Sequence, residues 1–135
     1  MTSAVSGFGT QLSWNSQDVA EVTNISGPGE SRDMIDVTNH DSSDGFREFI
    51  AGIASGGEIS VEGNFKAADT NGQIAMHTDF QGGTSRTVTI TFPSSLGNIS
   101  GTAFITAFEL GFPFDNKISF SATFKLTGKP TLTIS

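Results

Sequence analysis

His40 and His77 are the chain's only two histidines, and with no cysteine and no tyrosine beside them they are the natural candidates for proton exchange near neutral pH. Neither has the company that acid–base or nucleophilic chemistry requires. No serine sits in a Gly-x-Ser-x-Gly elbow. His40 lies in an acidic stretch, where it reads as a solvated loop residue, and His77 falls on a helical pattern, where it reads as a packing side chain. Asn39, Asp41 and Asp44 offer oxygens for a cation, but a calcium loop needs a glycine at its sixth position and a glutamate at its twelfth. Counted from Asn39, those places hold Asp44 and Ile50. Asp44-Gly45 reads instead as a turn. Gly7-Phe8-Gly9 lacks the third glycine of a dinucleotide fingerprint, and Gly128-Lys129 runs into Pro130 without the upstream glycine of a phosphate loop. Asn24-Ile25-Ser26 and Asn98-Ile99-Ser100 fit the glycosylation pattern only by chance. The expectation is a protein without catalytic residues, cofactor or metal.

The elements that would position any site are strands. Ile59, Val61, Gly63 and Phe65 alternate with Ser60, Glu62, Asn64 and Lys66, which gives a strand with one wet face. Val88, Ile90 and Phe92 alternate with Thr87, Thr89 and Thr91. Ile118 to Leu126 alternates with Ser119 to Thr127 in the same way. Gly101 to Phe112 carries apolar or small residues at both parities, so it is expected in the middle of a sheet and covered on both faces. Weaker strand signals lie at Thr10–Asn15, Val19–Ile25, Met34–Val37 and Thr131–Ile134, separated by turn residues such as Gly27-Pro28-Gly29 and Pro113. One helix is expected at Thr70–Gln81, capped by Asp69 or Thr70 and stopped by Gly82-Gly83. Many strands and one short helix predict an all-β, mainly antiparallel fold, a β-sandwich or partly open barrel with the helix packed on it.

Composition narrows the function classes. A chain of 135 residues holds one domain and one core. Net charge of -7 and an isoelectric point near 4.5 oppose tight nucleic-acid binding, which depends on Lys and Arg displacing counterions. Twelve Phe against one Trp favour core and interface packing over the amphipathic stacking of a sugar site. No apolar run reaches membrane-span length and no secretory leader is evident, so the expectation is a soluble protein made in the cytoplasm.

The segment at about residues 33–57 is the feature most suggestive of function. Phe46, Phe49, Ile50 and Ile53 call for burial, whereas Asp33, Asp36, Asp41, Asp44, Arg47 and Glu48 call for water or partners. Connections of this length inside compact domains are uncommon unless functional or disordered, and a disordered linker is poor in such residues. The segment reads as a long inter-strand docking loop.

Its wording resembles a family. Ser31-Arg32-Asp33-Met34-Ile35-Asp36-Val37-Thr38, His40-Asp41-Ser42 and Asp44-Gly45-Phe46-Arg47-Glu48-Phe49-Ile50-Ala51-Gly52-Ile53 are similar to the signature loop of major tail tube proteins from long-tailed, non-contractile bacteriophages. The likeness runs in collinear order from Ser6-Gly7-Phe8-Gly9-Thr10 through Gly57–Phe65 to Lys117–Pro130. The chain ends before the immunoglobulin-like C-terminal domain that some such proteins carry, so a single tail-tube domain over residues 1–135 is expected.

The resemblance implies a structural protein of the virion tail whose copies join into hexameric rings that stack into a tube, a conduit for double-stranded DNA during ejection. It also implies tape-measure, tail-tip and terminator proteins as partners, and no membrane. About four strands per copy would give about 24 in the ring, and ordinary spacing and tilt then give a barrel roughly 45–50 Å across. Glu58, Ser60, Glu62 and Asn64 are the expected lumen face, with Thr87, Thr89 and Thr91 as a second candidate. Phe46, Phe49, Ile50 and Ile53 would anchor contacts between copies, with Arg32, Asp33, Asp36, Asp41, Asp44, Arg47 and Glu48 setting their register. Two alternatives stay open. One is the tube of a gene transfer agent or contractile injection system, and the other, from a different class, is a monomeric carbohydrate-binding or adhesin sandwich.

Overall fold

Alternating residues become a seven-stranded antiparallel sheet in a computed structural model of the chain, which describes residues 6–134. In chain order the strands are β1 (Gln11–Trp14), β2 (Gln17–Asp18), β3 (Val22–Ser26), β4 (Ser31–Asp36), β5 (Phe49–Ser55) and β6 (Glu58–Asn64). The helix α1 (Gln73–Gly82) follows, then β7 (Arg86–Thr91), β8 (Gly97–Gly111) and β9 (Ser119–Ile134). The large sheet has the order β2-β1-β7-β8-β9-β6-β3, and β4 with β5 makes a separate two-stranded ribbon. Near-opposite ends of the large sheet, β1 and β3, come into contact, so it curls into a half-barrel.

The concave face is the core. Leu12, Trp14, Ile59, Val61, Val88, Ile90, Ala103, Ile105, Phe120, Ala122, Phe124 and Leu126 are all buried there. Trp14 and Phe124, whose ring centroids lie 5.2 Å apart, are sealed completely. Burying a side chain of Phe124's size contributes about 2–3 kcal/mol. A wholly buried Trp14 cannot act as a stacking platform for sugars, which removes the chain's single candidate for that role.

Helix α1 plugs the barrel through polar groups that are all paired. Trp14 donates its indole N–H to Asp79 at 2.7 Å, and Arg86 donates to the same carboxylate at 3.3 Å. The fully buried Gln73 donates to the carbonyls of Ala20 and Asn64 and accepts from the Lys66 amide. The helix starts three residues later than expected, after Gly72. Asp69 still serves its first turn, taking the amide of Gln73 at 3.0 Å while also holding that of Ala20 at 2.9 Å. His77 is half-buried, 5.3 Å from the Phe108 ring.

Several sequence expectations need correction. Of the expected strand at Val19–Ile25 only the part from Val22 is strand, in β3; β2 ends at Asp18, and Glu21 with φ 60° lies in the turn between them. The expected strand at Thr131–Ile134 is the end of β9, carried past Pro130 by an irregularity opposite Gly101. Strand β8 is central, as expected, but one of its faces is open: Thr102, Phe104, Thr106 and Ala107 are exposed. The apparent apolarity at both parities comes from a bulge between Ile105 and Ala107. It moves the inward phase from Ala103 and Ile105 to Phe108 and Leu110.

Candidate assembly surfaces

The segment expected as a loop is mostly a β-hairpin. Strand β4 pairs with β5 through Ser31↔Ser55, Met34↔Ala51, Ile35↔Ile50 and Asp36↔Phe49, with an irregularity where Gly52 and Ile53 oppose Asp33. Alternation is hidden in the sequence by that extra residue and by charges at the turn. Paired residues share a face, so Ile35 and Ile50 lie on one side of the ribbon with Val37 and Glu48, whereas Met34, Ala51, Asp36 and Phe49 lie on the other. The predicted anchors therefore do not form one cluster. Ile50 faces one way and Phe49 the other, Ile53 sits at the bulge and is 85% exposed, and Phe46 stands in the turn at 73%.

Polar residues of this arm brace the hairpin. Arg47 pairs with Asp36 at 3.0 Å, Arg32 donates to the Gly52 carbonyl at 3.0 Å, and Ser42 donates to Glu48 at 2.7 Å. The Thr38 hydroxyl accepts the Glu48 amide. The same hydroxyl, then the Thr38 amide, and then Arg47 favour the ionised form of Asp36 and hold its carboxyl below the ordinary carboxylate value. Asp44 takes a left-handed conformation in the short 3-10 turn Ser43–Gly45, where Gly45 follows at φ 71°. Asp33, Asp41 and Asp44 are exposed and enter no ion pair among the described residues.

The lumen candidates lie elsewhere, on the convex side of β6. Glu58, Ser60 and Glu62 are exposed and Asn64 is half-buried. The register extends that face across four strands: Asn24, Glu62, Ser121 and Glu109 make one row, and Ser26, Ser60, Thr123 and Ala107 make the next. Glu58 is partnered by Lys125, so the face is less acidic than β6 alone implies, but Glu109 adds a carboxylate that the sequence reading missed. Thr87, Thr89 and Thr91 lie at the other end of the sheet, on β7.

Those four strands have two free margins. Among the described residues, strand β3 pairs only with β6, and the Phe104–Gly111 part of β8 pairs only with β9, because β7 stops opposite Ala103. A third exposed feature is the turn between β8 and β9. Phe112 is 70% exposed and Phe114 entirely so. In the sequence this turn showed only as punctuation at Pro113. Among the described residues no group of three or more His, Cys, Asp and Glu is placed to hold a metal, and no helix is long and apolar enough to cross a membrane.

Known proteins share this arrangement. The model of the phage tail tube protein family matches residues 26–132. Among solved structures, the chain is similar to a protein from the tail of an empty gene transfer agent particle refined with C6 symmetry. Identity is 26%, 87% of this chain and 85% of that one are covered, and the TM-score is 0.70. It is similar in fold to the SPP1 tail tube protein, at 13% identity over 98% and 81% of the chains and a TM-score of 0.72. It is also similar in fold to a chain from the sheath–tube complex of an extracellular contractile injection system, at 13% identity over 98% and 93% and a TM-score of 0.76. No curated protein matches. The likeness therefore reaches past long-tailed, non-contractile phages to a gene transfer agent tail, one of the alternatives left open above, and in fold alone to an injection system. With the family match spanning most of its length, the chain belongs to the phage tail tube protein family, structural proteins that form tubes.

Proposed function

We propose that six copies of this chain join edge to edge into a ring and that rings stack into a hollow tube through which double-stranded DNA passes. The observation that carries this is the four-stranded end of the sheet, with an unpaired strand margin on each side and one polar face. Free margins invite pairing with another copy. Six four-stranded contributions close roughly 24 strands, a barrel about 45–50 Å across at ordinary spacing and tilt. Its inner wall would be the face bearing Asn24, Ser60, Glu62, Ser121 and Glu109. Three carboxylates, Glu58, Glu62 and Glu109, against the single ammonium of Lys125 leave this wall net negative in every copy, and the pattern repeats around the ring. Such a wall repels the phosphate backbone and lets DNA slide without adhering.

Stacking is a head-to-tail contact that does not close on itself and so grows a filament. The exposed arm, with Phe46, Phe49, Ile50 and Ile53, supplies apolar surface for that contact, and Asp33, Asp41 and Asp44 supply charges that orient it. In this reading the protein resides in the tail of a particle and meets tape-measure, tip and terminator proteins at the tube's ends and centre. The 26% identity to the gene transfer agent tail, against 13% to the SPP1 tube, favours a tail of the gene transfer agent kind over a long-tailed phage tail. Negative-stain microscopy of concentrated protein tests the proposal. Hollow filaments of hexameric rings are expected, and particles that remain single under all conditions would overturn it.

A further inference from the structure

Two strongly exposed apolar features of the molecule stand at opposite ends of β6. The arm joins β6 at Glu58 through Gly56 and Gly57, and Gly56 packs against Leu126 of β9. At the other end Asn64 is paired with Ser119, immediately after the turn that carries Phe112 and Phe114. Six residue steps separate these ends, roughly 20 Å of strand. An apolar patch at each end of one strand cannot be satisfied within one copy, but a second copy placed head to tail brings the two patches together.

Lys117 adds a charge contact to this pairing. Lys117, three residues after Phe114, has no ion-pair partner among the described residues. The hairpin face that carries Ile35, Val37 and Ile50 also carries the exposed carboxylate of Glu48. The turn thus offers two Phe and the ammonium of Lys117, with the exposed carboxylate of Asp115 two residues before it, and the hairpin face offers aliphatic side chains and the carboxylate that Lys117 can meet. The opposite hairpin face is a poorer receptor, because Asp36 and its Arg47 partner occupy it beside Phe49.

We infer that the Phe112–Lys117 turn of one copy docks on the Ile35–Ile50 face of the β4–β5 hairpin of a copy in the next ring. This rests on the tube reading and specifies which surfaces meet between rings. It requires nothing of the edge pairing within a ring, so the two can fail separately.

The test uses the full chain, which has no cysteine of its own. A Phe112→Ser/Phe114→Ser variant is expected to keep the wild-type circular dichroism and to form rings, while the critical concentration for tubes rises by about tenfold or more, as for loss of buried aromatic anchors. In a second measurement, protein carrying Phe114→Cys is mixed with protein carrying Ile50→Cys and oxidised under assembly conditions. A disulfide joining the two is expected, in much higher yield than with Phe49→Cys on the opposite face. Tubes formed by the double serine variant at the wild-type concentration, or tubes whose Phe114→Cys cross-links equally to both hairpin faces, would overturn the contact and leave the ring intact. Wild-type protein that forms neither rings nor tubes would overturn the tube reading and this contact with it.

Discussion

The curled sheet and the β4–β5 arm treat their apolar residues in opposite ways. Inside the sheet Trp14, Val61 and Phe124 are wholly sealed, and among the described residues every buried polar side-chain atom has a partner. Along the arm Phe46, Phe49, Ile50 and Ile53 are all more than half exposed, and hydrogen bonds and one ion pair hold the ribbon's shape in place of a core. The sheet's core is sealed within one copy, whereas in the proposed tube the arm's apolar residues are covered by another. On the proposed function, the same residue types carry folding in one region and assembly in the other.

Truncation breaks this comparison most sharply. Phe124→Ala should cost about 3–5 kcal/mol of folding stability, because the buried site is tightly packed and leaves a cavity. Ile50→Ala should stay within about 0.5 kcal/mol of wild type in the isolated subunit. Urea denaturation of unassembled protein measures both, and equal losses would erase the distinction between the regions. A second break is removal of the arm's outer part: deleting Asp41 to Ile50 should leave a folded monomer that does not polymerise, as read by circular dichroism and sedimentation. Tubes of wild-type length from that deletion would show that the arm is dispensable.

The polar face of the four-stranded end sharpens the comparison from a third side. It is exposed like the arm yet mostly polar, with Phe104 and Ala107 as its apolar members, which suits contact with a passing polyanion better than with another copy. Replacing Glu62 and Glu109 by Lys should leave assembly unchanged and make preformed tubes retain duplex DNA at low salt, with release as salt rises. A filter-retention assay reads this, and retention that salt does not affect would argue against a charged lumen.

Acid gives the smallest effect. Asp36 is held below its ordinary carboxyl pKa of 3.8 by Thr38 and Arg47. Its contribution to the arm is therefore complete above that value and lost as pH falls through the lower folded-state value. Thr38→Val should move the carboxyl back toward 3.8, which NMR titration would detect, and an unchanged titration would remove Thr38 from the account. The sheet should not respond to this substitution.

Much of this was legible in the residues. The alternation of Ile59, Val61 and Gly63 marked β6 and its wet face, and the run from Ile118 marked β9, because period-2 patterning survives wherever a strand has one side in the core. What escaped did so for local reasons. The extra residues near Thr106 and at Gly52-Ile53 shifted the alternation by one place, so β8 looked buried on both faces and β5 looked like loop. Phe112 and Phe114 flank a proline, and a turn signal says nothing of exposure. Glu109 reached the polar face only through the register of β8 on β9, a long-range property that no local window contains. The arm's exposed apolar residues were legible in its composition, since a mixture of Phe, Ile and charge does not suit the core of a small domain.

The account stands on the claim that free strand margins of one copy complete those of the next. A cryo-electron microscopy reconstruction of the assembled protein tests this most directly. The expected map has six copies per ring, β3 of each hydrogen-bonded to the Phe104–Gly111 stretch of its neighbour, and Glu62 pointing into the bore. A polymer whose copies touch through other surfaces, or one with Glu62 on the outer wall, would contradict it.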